Sequence, residues 1–115
     1  MISLNEVTIL GRAGNTPKLY NGAYGKKYCQ VPIYINVKSN EGENSTLVDC
    51  EAWGDLATII DRLSITKGQE ILIKGRLRNR TNKNTNLREL CVVINDLKIF
   101  PIKQKISTEG ENTNG

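Results

Sequence analysis

The chain has 115 residues, with 16 Lys and Arg against 12 Asp and Glu, and it contains no His. This length is enough for one domain with its own core. The absence of His excludes the commonest general base and the commonest zinc ligand, and the net charge of +4 is compatible with an anionic partner.

The hydropathy pattern of the first forty residues predicts two strands. The first spans Glu6–Arg12, and the segments Asn15–Pro17 and Asn21–Gly22 predict turns. The second spans Lys27–Lys38, where apolar and polar side chains alternate with period 2, as in a strand with one buried face. Because proline has no N–H, Pro32 predicts a bulge or an unpaired position in this strand. Its apolar positions are Cys29, Val31, Ile33, Ile35 and Val37.

A polar loop is expected at Ser39–Ser45, followed by a third strand at Thr46–Trp53. Asp55 is predicted to cap a short helix. Further strands are predicted at Glu70–Arg80 and Leu87–Phe100, joined by an exposed loop. Residues 106–115 are small and polar, so we expect one domain over residues 1–105 and a disordered tail. The apolar positions of the predicted helix are Leu56, Ile59, Ile60 and Leu63.

Five strands with one helix between the third and fourth predict an all-β protein. Coiling such strands into a small closed barrel removes exposed edges. The five-stranded barrel with a helix at this place is the OB-fold, whose sheet face and loops bind oligonucleotides or oligosaccharides.

Three cysteines, Cys29, Cys50 and Cys91, lie far apart in the sequence. An odd number at this spacing fits neither a disulfide framework nor a Cys-x-x-Cys metal site, so we expect reduced, buried thiols in an intracellular protein. No apolar run approaches the ~20 residues of a membrane span, and the N-terminus lacks the features of a signal peptide or transit peptide. A cytoplasmic protein without a membrane partner is expected.

The fourth strand carries the clearest functional signal, because four successive outward positions are cationic. Their repeat of roughly 6.6 to 7 Å along a strand is similar to the phosphate repeat of an extended nucleic acid. From residue 74 to residue 88 there are six cations and no acid, whereas residues 41–61 hold six acids and no cation. A solvated exposed face is the alternative, but ordinary surfaces interleave both signs. The six cations are Lys74, Arg76, Arg78, Arg80, Lys83 and Arg88.

Trp53, the only tryptophan, falls on the polar register of its strand together with Asp49 and Glu51. There it is available for base stacking, which contributes ~1–3 kcal/mol per base; the alternative is a ring packed under a loop or at a subunit interface. The two neighbouring acids count against stacking, since they repel phosphates. Other candidates for DNA contact are Tyr34, Tyr28, Tyr20, Tyr24 and Arg12.

No catalytic motif is present, and no residues have the spacing of metal ligands. Asp49 and Glu51 lie two apart on one strand face and could hold a cation, but two carboxylates without further ligands are more often solvated. We therefore predict a protein without a metal, a cofactor or an enzymatic activity.

Three segments, in order, resemble the bacterial-type single-stranded DNA-binding protein family. They are Asn5–Gly14 with Pro17, Trp53–Ala57, and Lys67–Gly68 followed by Glu70–Arg78. The resemblance covers about residues 4–100. It implies an OB-fold that assembles as a homotetramer and wraps single-stranded DNA without sequence preference or catalysis. It also implies that Trp53 stacks on bases and that Arg76 and Arg78 lie on the DNA-facing strand.

The chain departs from this family where aromatic residues are common. Leu47 occupies one such position, and Asn40, Glu41, Thr81 and Asn82 lie where the family often has Trp. The sequence ends at residue 115 without the family's acidic tip. Recruitment of replication partners through a tail is therefore in doubt, and a nucleoid-associated, organellar, phage or plasmid protein would all fit.

The leading hypothesis is a protein that coats and protects single-stranded DNA in replication, recombination and repair. One alternative is a primosome-type adaptor similar to primosomal replication protein N, which is a dimer. Another is an interaction module whose basic strand binds an acidic protein. The residues predicted to bind nucleic acid are Arg12, Tyr34, Lys38, Trp53, Lys74, Arg76, Arg78, Arg80, Lys83 and Arg88.

Overall fold

The computed structural model of the protein describes residues 2–101, which form six strands and one α-helix. A single 3-10 turn at Ala23–Gly25 connects β2 to β3. The predicted disorder of residues 106–115 lies outside the described residues. In chain order the elements are β1 (Val7–Ala13), β2 (Lys18–Asn21), β3 (Lys27–Ser39), β4 (Gly42–Trp53), α1 (Asp55–Arg62), β5 (Glu70–Thr81) and β6 (Arg88–Ile99).

The sheet closes on itself as a barrel. Its strand order is β1-β5-β6-β4-β3-β2, and β1 pairs with β3 as well as with β5. All pairs are antiparallel except β4 with β6. Five strands thus form a closed barrel with α1 between β4 and β5, which confirms the predicted OB-fold. The short strand β2 pairs with β3 in a segment where only turns were predicted.

The barrel interior is filled by the inward register of the long strands. Ile33, Ile71 and Ile73 are fully buried, and Ile60 of α1 and Ile65 close the core. This confirms the period-2 pattern for the part of each strand inside the barrel. Val37, which was predicted on the buried face of β3, is exposed because β3 there continues into the hairpin with β4. Burial of that apolar register stabilises the barrel and leaves the opposite register for function.

All three thiols are free and buried, as predicted. Burial raises the pKa of Cys29 to about 11 and that of Cys50 to about 12. Burial also raises the pKa of Cys91, and the negative charge of Glu51 acts in the same direction. The thiols therefore remain protonated and act as small apolar side chains.

The loop predicted at residues 39–45 is wrong, because strand pairing continues to the end of a hairpin. β3 and β4 pair without interruption from Tyr28 and Trp53 to Ser39 and Gly42. The Ser39 hydroxyl closes the turn by accepting the N–H of Glu41 and donating to the carbonyl of Gly42, both at 3.2 Å. The polar composition reflects exposure of the hairpin on both faces rather than loss of pairing.

No bulge occurs at Pro32, which pairs with Asp49 in an unbroken register. Its carbonyl accepts the N–H of Gly14 at 2.8 Å, so the polar groups of Pro32 face β1 and not β4. In an antiparallel strand the N–H and C=O of one residue point to the same side. The missing N–H therefore interrupts no hydrogen bond between β3 and β4.

The helix cap is also different from the prediction. Gly54 is the cap residue, with φ 67°, and it makes no side-chain hydrogen bond; Asp55 is the first helical residue. A positive φ is readily adopted only by glycine. Ile59 and Leu63 of the predicted apolar set are exposed. α1 has 8 residues.

No helix within residues 2–101 is long and apolar enough to cross a membrane.

Candidate nucleic-acid interface

The outward register of four barrel strands forms one continuous surface. Tyr28 of β3 pairs with Trp53 of β4, Glu51 of β4 pairs with Val93 of β6, and Val93 also pairs with Arg76 of β5. Paired residues project from the same side of a sheet. We call the surface that carries these five residues the outer face.

Three aromatic rings cross one end of the outer face. The ring centroids of Tyr28 and Trp53 are 4.6 Å apart, and those of Tyr28 and Tyr20 are 5.9 Å apart. The pairing of β2 with β3 brings Tyr20 beside Tyr28. Trp53 is 40% exposed and Tyr20 is 44% exposed, so both present ring surface to solvent. We call Tyr20, Tyr28 and Trp53 the aromatic row.

A depression of about 560 Å³ lies beside the aromatic row. It brings the Trp53 ring together with three cationic side chains, Lys26, Arg76 and Arg78. Lys26 was not predicted, because it belongs to the turn between β2 and β3 rather than to a strand with a periodic pattern. The N–H of Gly22 donates to its carbonyl at 2.6 Å, which closes that turn. A ring with adjacent cations can hold a base and its phosphate together.

Glu51 contacts two of the residues that line this depression and is almost completely buried, with only 1% of its surface exposed. The indole Nε1–H of Trp53 donates to its Oε2 at 2.8 Å, and the Nε–H of Arg78 donates to the same oxygen at 2.8 Å. Burial acts to raise the pKa of Glu51, but these hydrogen bonds and the charge of Arg78 outweigh it, and the pKa is lowered. The carboxylate is therefore ionised and neutralised by its partners.

Arg80 joins three carboxylates on the same surface. Its guanidinium lies 3.1 Å from Asp49, 3.3 Å from Glu89 and 3.5 Å from Glu51. The acidic and basic blocks, separate in the sequence, therefore meet across β4, β5 and β6. We call Glu51, Arg78, Arg80, Asp49 and Glu89 the ion network. The two arginines are thereby paired with acids, which the sequence pattern did not show.

Lys74 and Arg76, the two other cations of β5 predicted to bind nucleic acid, are not part of the ion network. The register of β5 with β6 shifts after Lys74, which pairs with Asp96, while Gly75 pairs with Ile94; Asn95 is the extra residue of a bulge. The Asn95 side chain accepts a hydrogen bond from Arg76. Bulges often redirect a neighbouring side chain. Within residues 2–101, Lys74 and Arg76 make no ion pair with an acid, so their charges remain available.

A sequence model of the single-strand binding protein family matches residues 4–99, which include every strand of the barrel. The chain belongs to this family. Single-stranded DNA-binding protein 1 of Synechocystis sp. is 27% identical over 108 residues, covering 90% of this chain and 88% of the relative. The family is one of DNA-binding proteins without enzymatic activity, which confirms that prediction.

In this member of the single-strand binding family, Arg12 and Tyr34 lie together but apart from the aromatic row. They pair where β1 meets β3, and both line a depression of about 450 Å³ with Glu70. Tyr34 is six residues from Tyr28, which is ~20 Å along a strand. Their part in DNA binding stays a prediction.

The remaining predicted cations lie near the tips of the β3–β4 and β5–β6 hairpins. Lys38 is exposed and pairs with Glu43 near the end of the β3–β4 hairpin. Lys83 is exposed in the loop before β6. Arg88 begins β6 and lines a depression of about 460 Å³ with Arg78 and Arg80. These residues surround the outer face without joining the depression beside Trp53.

The sequence offered Tyr20 as a candidate for DNA contact between two predicted turns, but it indicated neither Lys26 nor the bonds of Glu51 to Trp53 and Arg78. Tyr20 becomes part of the aromatic row only through β2, whose four residues are too short for a clear periodic signal. The pairing of Glu51 with Arg78 joins residues 27 positions apart in the chain. The one signal in the sequence for this pairing was that the outward positions of β4 are acidic and those of β5 are basic.

Proposed function

We propose that the protein binds single-stranded DNA without sequence preference, with bases on the aromatic row and phosphates on the adjacent cations. The observation that carries this proposal is the half-exposed ring of Trp53, which packs tilted against Tyr28 with the ring centroids 4.6 Å apart and borders a depression with Lys26, Arg76 and Arg78. Every base has a ring face to stack, so such a site tolerates any sequence. Membership of the single-strand binding family and the name of the relative support the same function.

The single-stranded DNA would cross the outer face from Arg76 to Lys18. The aromatic row lies between two depressions: the one beside Trp53, and a second of about 460 Å³ that Lys18 and Tyr20 line with Gln30. Each depression has at least one cation and one ring, so phosphates and bases can alternate along the path. The proposed path therefore uses β2, which the sequence did not predict.

Coating and protecting single strands in replication, recombination and repair is the cellular role that we propose. Binding through ring faces and phosphates suits this role, because it covers DNA of any sequence. Association with the bacterial nucleoid and with replication proteins would follow from the DNA that the protein occupies.

We also propose that copies of the chain associate as a homotetramer. Three leucines on strands β1, β5 and β6 remain exposed in the single chain: Leu10, Leu77 and Leu90. Leu77 and Leu90 share one face of the β5–β6 pair, because Leu77 pairs with Val92 and Leu90 with Asn79. Adjacent exposed apolar side chains are suited to contact between copies. Native mass spectrometry over a concentration series tests this assembly and separates a tetramer from the dimer expected of a primosome-type adaptor.

Trp53 is the single tryptophan, so its fluorescence reports directly on the proposed site. We propose a titration with oligo(dT) and with duplex DNA across a salt series. Strong quenching, preference for the single strand and a negative slope of log K against log salt are the expected results. Unchanged fluorescence with equal affinity for duplex DNA would contradict the proposal.

A further inference from the structure

Glu51 holds a ring and a cation of the outer face at the same time. Its Oε2 accepts the indole N–H of Trp53 at 2.8 Å and lies 2.7 Å from Nη2 of Arg78. Both partners line the depression beside the aromatic row. One buried oxygen therefore determines where the ring and the guanidinium lie relative to each other.

A buried acid beneath a phosphate-binding surface requires a physical reason. Its charge repels phosphates, and a buried ion pair is weak support for fold stability, because desolvation offsets the attraction. The indole ring has one N–H donor, and a bond from this donor to a fixed acceptor restricts rotation of the ring. Tyr28 adds a second restraint, since its ring centroid lies 4.6 Å from that of Trp53.

Arg80 completes the arrangement without lining the depression beside Trp53. It contacts Asp49, Glu51 and Glu89 and is less exposed than the other arginine of the ion network, with 21% of its side chain accessible against 41% for Arg78. Three acids around one guanidinium leave little unpaired positive charge. Arg80 and Arg78 together thus compensate two of the three negative charges of the ion network.

We propose that Glu51 is a positioning residue of the DNA interface: it clamps Trp53 and Arg78 in place before the strand arrives, while Arg80 compensates the acids. This inference rests on the proposed function and specifies how the same site is organised. A ring and a cation held in place beforehand lose less conformational entropy on binding. The clamp therefore strengthens stacking without itself contacting DNA.

The first test uses the unmodified protein without DNA. Since there is one indole, NMR shows one indole N–H signal, and its hydrogen exchange measures whether the Trp53–Glu51 bond persists. We expect exchange at least about tenfold slower than that of a free indole, because the donor is bonded to a buried acceptor. Exchange at the rate of a free indole would overturn the clamp.

The second test compares Glu51→Gln with Glu89→Gln, a matched control that removes the same charge from the ion network without touching Trp53. The amide oxygen of glutamine can still accept the indole N–H but is a weaker acceptor than a carboxylate, so fluorescence anisotropy decay of the free protein should show added fast motion of Trp53 in Glu51→Gln only. Affinity for oligo(dT) should be about tenfold lower in Glu51→Gln than in Glu89→Gln. Equal motion and equal affinity in the two variants would count against the clamp.

A double-mutant cycle with Trp53→Phe separates positioning from general structural damage. Phenylalanine has no N–H, so Glu51→Gln should reduce affinity by a smaller factor in the Trp53→Phe background than in the unmodified chain. The same factor in both backgrounds would show that Glu51 does not act through the indole. If Glu51→Gln fails to fold, the rate of indole N–H exchange in the unmodified protein decides whether the bond between Trp53 and Glu51 restrains the ring.

These tests distinguish the inference from the function on which it rests. If the unmodified protein does not bind oligo(dT), the proposed function is wrong, whereas indole exchange and anisotropy still report whether the clamp exists. If it binds and the indole is not restrained, the function stands and the clamp is wrong.

Discussion

Arg78 and Glu51 lie 2.7 Å apart, guanidinium to carboxylate, although 27 residues separate them in the chain. Arg78 is a cation of the basic strand β5, and Glu51 belongs to the acidic block of β4. Their contact converts two surfaces of opposite charge into one nearly neutral patch beside Trp53. Within residues 2–101, the cations of the proposed DNA path that have no acidic partner are therefore Lys18, Lys26 and Arg76, with Lys74 next to Arg76 on β5.

The aromatic row predicts that Tyr20→Ala weakens binding to oligo(dT), because one stacking ring is lost. The expected loss is ~1–3 kcal/mol, or roughly 5- to 150-fold in Kd. Tyr24→Ala is the matched control, since Tyr24 is fully exposed and makes no ring contact with the aromatic row. Fluorescence titration of Trp53 measures both variants, and equal losses would exclude a special role for Tyr20.

The ion network predicts that the cations of β5 contribute differently to salt dependence. Arg76→Ala should reduce the slope of log K against log salt by roughly 1, as expected for one lost phosphate contact. Arg80→Ala should leave the slope almost unchanged, because Arg80 is already paired with three acids. Arg62→Ala, an exposed arginine of α1, is the control. Equal changes in the slope for Arg76→Ala and Arg80→Ala would show that the pairing does not persist when DNA binds.

The lowered pKa of Glu51 predicts a loss of stability in acid. Since its pKa is lower in the folded than in the unfolded chain, the stabilisation is complete above the ordinary Glu pKa of about 4.3. It is lost as the pH falls from there through the lowered pKa. Urea unfolding at several pH values should show a weaker acid dependence in Glu51→Gln. A parallel pH dependence in both proteins would mean that Glu51 contributes nothing through its charge.

The three thiols should be unreactive in the folded protein. Burial raises the pKa of Cys29 to about 11 and of Cys50 to about 12, and Cys91 is buried as well. Because the thiolate is the reactive form, an aromatic disulfide reagent should modify none of them quickly at neutral pH. All three should react after unfolding in guanidinium. A fast-reacting thiol in the folded state would show that one of these sites opens.

The barrel could be predicted from the sequence because its signals are local. Alternation of apolar residues identified β3, β5 and the core, and glycine and polar segments marked most boundaries. The hairpin tip at Asn40 and Glu41 was mistaken for a longer loop, because exposed paired strands and loops share a polar composition. Gly54 replaced Asp55 as the helix cap because a positive φ was required at that position.

The sequence predicted only those residues of the candidate site that lie on strands with a clear periodic pattern. Trp53 and the outward register of Arg76 and Arg78 follow from period 2 alone. Tyr20 and Lys26 depended on β2 and the turn after it, which carry no strong pattern. The partners of Arg80 depended on the order of strands in the sheet.

The sequence by itself determined the five barrel strands, the family and the outward direction of the basic residues, since these depend on neighbours in the chain; it did not determine β2. Only the tertiary structure decided which of those charges remain unpaired. Closing the barrel brings β4 beside β6 and β6 beside β5, and this places opposite charges from distant parts of the chain within a few ångströms of each other, where they attract strongly. The ion network has two arginines against three acids. The excess of cations in the net charge of +4 therefore lies entirely outside it.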